Sequence, residues 1–134
     1  MEFKLNIIIN SELPAGLAAN TAAVLALSMG KAHPDLIGND LVDAGGFTHL
    51  GITTIPIPVL SATNSKLIDI LERVRAKDNL ELVSFTKLAQ SIHTYDEYSK
   101  ALSKTPTELL EYSGIAIFGD KKSIHSICGS LPRL

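Results

Sequence analysis

The chain has 134 residues with 12 lysines and arginines against 14 acidic residues, a formal net charge of -2. That length suits one domain, residues 1–134, with an ordinary core. The charge disfavours a strongly cationic nucleic-acid or membrane binder, because neutralising phosphates needs clustered Lys and Arg. A single cysteine excludes an internal disulfide and any zinc site built on two thiolates, and it fits a reducing, cytoplasmic setting. The expected protein begins directly with a strand instead of a leader, and no apolar run reaches the ~18 to 20 residues of a membrane span.

In chain order, Phe3, Leu5, Ile7 and Ile9 alternate while Ile8 fills the opposite phase, which predicts a first strand buried on both sides. Leu17 to Met29 contains only Asn20, Thr21 and Ser28 as polar residues, so the first helix is apolar nearly all round. Such a helix normally keeps a wet face, and a homodimer through it is one expectation. "HPDLIGNDLVDAGGFTHLG" shows Gly-containing turns without a sustained period and reads as an irregular excursion. In "ITTIPIPVLSA", Ile55, Ile57 and Val59 share one face. Pro56 and Pro58 lack amides on one side, which predicts an edge strand paired through its other side.

Leu67, Ile70, Leu71 and Val74 define an amphipathic helix over 64–77, capped by Asn64 or Ser65, with Asp69 four residues before Arg73. "LELVSF" predicts a strand. Two capping boxes come next, Thr94 with Glu97, and Thr105 with Pro106 and Glu108, which predict two short helices between 94 and 111. "GIAIFG" reads as a buried strand, and Ile124, Ile127 and Cys128 as the inner face of a last helix stopped by Gly129. The predicted order, β-α-β-α-β-α-α-β-α, implies an α/β fold with helices on both faces of a four-stranded sheet.

Candidate chemistry gathers first at "SELPAGLAAN". Pro14 at the first helical position would leave Leu13 as a poor cap, so Ser11 or a ligand is expected to satisfy the free amides. Helix N-termini attract anions and carbonyl oxygens, and Asn20 projects nearby with donor and acceptor capacity. The plain alternative is a solvated helix start with Asn20 bonded to a neighbouring loop. Neither a P-loop nor a dinucleotide glycine fingerprint is present. Ligands of α/β folds collect outside the carboxyl ends of strands, so Ser84, Thr86 and Gln90 of "SFTKLAQ" are expected to face that turn, unless Thr86 merely caps a turn. His49 in "GGFTHLG" is a further binding candidate against a structural hydrogen bond. Lys121 and Lys122 open the last helix, where the dipole disfavours cations; they are ordinary solvated charges or a phosphate contact. His33, His49, His93 and His125 lack the spacing of a helical metal site, Cys128 reads as core, and no metal or cofactor is expected.

Together, "KLNIIINSELPAGLAANTAAVLA", "IPIPVLSATNSKLIDILERV" and "YSGIAIFGDKKSIHSICGSLPRL" resemble the DUF two-thousand family, a domain of unknown function, over nearly the whole chain. That family looks like an offshoot of the peptidyl-tRNA hydrolase II fold. The resemblance implies a three-layer α/β/α sandwich with a mixed four-stranded sheet. Hydrolases of that fold carry a G-K-[IV]-A-A-Q segment whose lysine is thought to act in catalysis. Here "AGLAAN" puts Gly16 at the lysine and Asn20 at the glutamine, and Ala23 stands where a histidine often comes next. Their D-A-G-x-T aspartate has no counterpart in Ser84-Phe85-Thr86. Without the amine and the carboxylate, peptidyl-tRNA hydrolysis loses its means of water activation and charge stabilisation. The resemblance therefore implies a domain that binds a small polar ligand or a protein partner in a cleft formed by the Asn20 turn with Gly16, His49, Thr86 and Gln90. The alternative is a divergent peptidyl-tRNA or aminoacyl-ester hydrolase using Thr86, Asn20 and a bound water. The net charge leaves tRNA the less favoured partner.

Overall fold

The computed structural model describes residues 2–134. Its main sheet orders four strands as β4-β1-β6-β5. β1 (Phe3–Asn10) runs parallel to β4 (Val59–Ala62) and antiparallel to β6 (Tyr112–Asp120), and β5 (Glu81–Thr86) pairs antiparallel with β6. The sheet is thus mixed. A second ribbon, β2 (Leu41–Val42) with β3 (Thr48–His49), lies in the segment that reads from sequence as irregular. Strands of two residues are too short to print a period.

Both faces of the central strands are dry, as their apolar runs require. Leu5, Ile7 and Ile9 pack with Ala116, Phe118 and the inner face of α1 (Ala15–Ala32), which buries Ala18, Thr21, Leu25 and Met29. Ile8 faces the other way with Ile115 and Ile117, against α2 (Asn64–Arg75) and α5 (Lys121–Cys128). Gly114 of β6 lets α1 approach: a Cβ there would come within 2.8 Å of the Ile8 carbonyl and 2.7 Å of Thr21. On the α5 side Asn6 is buried, and among the described residues its Oδ1 has no partner. Cys128 is a buried core residue on the same side, and that burial pushes its thiol pKa up.

Several local expectations shift. Pro14 is the N-cap of α1 and not its first helical residue. Thr63, not Asn64 or Ser65, caps α2 by accepting from the Lys66 amide, and Asp69 pairs with Lys66 (3.6 Å) in place of Arg73. Pro56 and Pro58 lie ahead of β4, which starts only at Val59. Pro58 turns its carbonyl to β1, accepting from the Ile7 amide at 3.0 Å, so its missing N–H also lies toward β1 and not toward open solvent. β4 is an edge of the sheet as expected, but its outer side is taken by the C-terminal tail: Ser61 donates to Pro132 and Leu134 to Val59.

Between β5 and β6 the span 94–111 holds one α-helix, α4 (Tyr95–Ser103), and a 3-10 turn at Thr107–Leu109 in place of the second expected helix, while a further short helix, α3 (Lys87–Ser91), precedes them. The Thr94 box works as read, its hydroxyl accepting from Glu97 N–H. Thr105 does not cap the 3-10 turn; its hydroxyl donates back to Ala101 O at 2.8 Å and closes α4.

Candidate functional site

The turn between β1 and α1 is fixed from below by Asn10. This fully buried side chain donates to Tyr112 O (2.9 Å) and accepts from Glu12 N–H (3.0 Å). Asn64 supports the same corner by accepting from the Tyr112 amide at 2.9 Å. Neither Ser11 nor any other side chain caps α1; Asn10 shapes the turn instead.

One turn further along α1, the structure brings two predicted residues, Asn20 and Gln90, together. Gln90 Nε2 lies 3.0 Å from Thr21 Oγ1, 3.1 Å from Leu17 O and 3.3 Å from Asn20 Oδ1, and its Oε1 accepts from Ser113 Oγ at 2.8 Å. Thr21 can accept because its own proton goes to Leu17 O at 2.8 Å. The amide of Gln90 thus ties α3, α1 and β6 into one polar cluster, two of whose members, Thr21 and Ser113, are wholly buried. Thr86 is spent structurally: it is buried and its hydroxyl accepts from Ala89 N–H at 3.0 Å, capping α3. Gly16 is exposed, and a Cβ there would meet no atom within 4 Å.

A groove of about 420 Å³ begins beside this cluster, between α1, the edge strand β5 and the α3–α4 corner. Val24, Val83, Phe85 and Ile92 give it an apolar floor, while Ser28, His93, Tyr95 and Tyr98 bring hydrogen-bonding groups to it; Ser84 stands opposite Ile115, on the α2 side of the sheet. Tyr95 and Tyr98 meet edge to face, ring centres 6.0 Å apart, an arrangement favoured by the ring quadrupoles. None of its lining residues is a carboxylate, lysine or arginine. His93, Tyr95 and Tyr98 go unremarked as binding candidates in the sequence reading. The signal was present: once Thr94 starts the helix, Tyr95 and Tyr98 stand three apart on one face.

The remaining predicted residues lie elsewhere. His49 stands exposed on the β2–β3 ribbon, bonded to Asp43 Oδ2 at 2.8 Å. The ribbon leaves the body after Leu36, beyond the C-terminal end of α1, whereas Asn20 belongs to the first turns of that helix. The expected cleft of Asn20, His49 and Thr86 therefore does not form. Lys121 and Lys122 are also remote. Phe3 pairs with Asp120 in the antiparallel register, so the lysines stand at the start of β1 and the Asn10 turn at its end, about 25 Å away along an eight-residue strand. They border a hollow of about 570 Å³ with Glu2, Asp120 and His125. Lys121 is paired there with Glu2 at 3.0 Å, and that bond holds the Glu2 carboxyl below its ordinary range. Asp120 caps α5 and is likewise lowered by the Ser123 amide and hydroxyl. Two carboxylates beside two lysines make a poor phosphate cradle.

Among the described residues no group of three His, Cys, Asp or Glu could hold a metal ion, and no helix is long and apolar enough to cross a membrane. Compared with known proteins, residues 3–134 match the model of a family described as "Protein of unknown function (DUF2000)". A solved structure, a protein of unknown function Atu0240 from Agrobacterium tumefaciens strain C58, superposes with a TM-score of 0.91. It is 17% identical, and the likeness covers 100% of this chain and 98% of that one. The shared architecture is therefore the fold alone. No curated protein matches the chain.

Proposed function

The chain belongs to the DUF2000 family, and from that premise we propose that it is a non-hydrolytic binding domain. Its site is the groove along α1, and its ligand is a small neutral molecule with an apolar body and one or two hydroxyl or carbonyl groups. The observation that carries this reading is the lining itself: apolar walls, hydroxyls at Ser28, Tyr95 and Tyr98, a single titratable imidazole at His93, and no charged side chain. Concave, mostly apolar sites with a few placed polar groups are the usual form of small-molecule pockets. Gln90 supports the site from behind, because its four contacts fix the α1–α3 corner that forms one end of the groove.

The same features weigh against ester hydrolysis. We read the fold as an offshoot of peptidyl-tRNA hydrolase II whose catalytic lysine position is Gly16. An open glycine supplies no amine, and the Thr86 hydroxyl is already committed to a helix cap. Water activation and oxyanion stabilisation each require a placed base or donor. The test is peptide release from an N-blocked aminoacyl-tRNA by the purified protein. The expected rate equals that of buffer alone; release that disappears in Asn20→Ala and in Thr86→Ala would establish a divergent hydrolase instead.

A further inference from the structure

Residues 37–54 form an arm. Its root is tied by Gly38 N–H to Ile52 O (2.8 Å) and Thr54 N–H to Leu36 O (2.7 Å), and Leu36 and Ile55 anchor it in the core beneath α1. At its tip Asp43 accepts from the Gly45 and Phe47 amides and from His49, around Gly46 with φ +89°. The two strands cross so closely at Gly38 and Gly51 that a Cβ on Gly51 would overlap the Gly38 carbonyl. The arm is thus well specified, yet every residue from 39 to 50 is exposed. A lone two-stranded ribbon is at best marginal in water.

Its surface is also apolar. Ile37, Leu41, Val42, Phe47, Leu50 and Ile52 are 47–78% exposed. They are spread over both faces of the ribbon, since Leu41 and Val42 are successive strand residues. A second uncovered surface lies on the same chain. From Ala15 to Gly30 the helix α1 has no charged residue, and its outer face presents Ala19, Ala23 and Leu27, the last 80% exposed. A helix on a sheet ordinarily wets this face with charge.

We infer that the chain forms a two-fold homodimer in which the arm of each copy lies across the outer face of α1 of the other. Reciprocity comes from connectivity, since the arm is rooted at the C-terminal end of the helix that receives its counterpart; each copy gives and receives the same contact, and the pair closes. Charge agrees. No Lys or Arg occurs between Lys31 and Lys66, so the arm carries only the carboxylates Asp40 and Asp43. The only charge on the receiving helix is Lys31.

Sedimentation equilibrium tests this directly. The wild-type chain is expected at twice its 14.4 kDa mass. Phe47→Asp with Leu50→Asp, and separately Leu27→Asp, should each weaken the dimer by more than about 30-fold, the loss of one central anchor. These side chains are exposed, so circular dichroism and the unfolding midpoint of the monomeric variants should report a folded body. A wild type that stays monomeric at high micromolar concentration would overturn the inference. So would a dimer that survives Leu27→Asp but not the arm variant, since the arm would then dock on another surface.

Discussion

The body and the arm of this protein obey opposite rules. In the body, β1 and β6 bury both faces, and identity is dictated position by position: Gly114 admits α1, Asn10 holds the turn, and Ile8 fills the α2–α5 side. In the arm, backbone bonds and two aspartates, Asp40 and Asp43, set the shape while large apolar side chains touch water. The difference teaches where stability resides and where association resides. A buried apolar side chain stabilises its own chain; one left exposed on a well-formed ribbon can do so only by meeting another surface.

That contrast breaks most visibly by truncation. Ile8→Ala removes a fully buried side chain and should cost about 2–5 kcal/mol of unfolding free energy. Leu41→Ala, on a residue 70% exposed, should stay within about 0.5 kcal/mol in the isolated chain. Denaturant unfolding at low protein concentration, where any dimer is dissociated, separates the two.

A smaller effect is expected at the polar hinge. Asn10→Ala leaves the buried Tyr112 carbonyl and the Glu12 amide without their partner, a loss of about 1–3 kcal/mol. It should also loosen the first turns of α1, visible as faster amide exchange at Ala15 to Ala18, while β5 is unaffected.

Acid sharpens the comparison further. The bond from His49 and the Phe47 and Gly45 amides hold the Asp43 carboxyl below its ordinary value. A lowered carboxyl contributes stability that is present above the unfolded pKa and is lost as pH falls through the folded one. The arm tip should therefore lose amide protection below about pH 4. Asp120 is lowered too, yet α5 should stay docked, because Ile124, Ile127 and Cys128 hold it in the core.

The order of the main-sheet strands and helices was legible because long apolar periods report burial directly. Ile55, Ile57 and Val59 do share the α1 side, as their alternation predicts. The arm was not legible: its ladder is two residues long on each side, and its exposed Leu41, Phe47 and Leu50 mimic an aperiodic loop. For the site, Asn20 and Gln90 were correctly set near one another by the rule that strand ends gather ligands. His49, Lys121 and Lys122 were not, because local sequence does not reveal which end of the sheet a loop returns to. Only the antiparallel register of β6 on β1 carries Lys121 to the start of β1. The spacing of Tyr95 and Tyr98 was visible, but the groove they share with His93 was hidden for the same reason, since it exists only once the α3–α4 corner comes beside α1 and β5.

The central claim is that the α1–β5–α4 groove is a site for a neutral ligand, and residue-resolved NMR during titration tests it most directly. The probes are small aromatic alcohols and amides, with inorganic phosphate as the anionic control. Saturable shifts are expected at Ser28, His93, Tyr98 and Gln90 with the neutral compounds and none there with phosphate. A silent groove, with phosphate instead shifting Lys121 and Lys122, would contradict it.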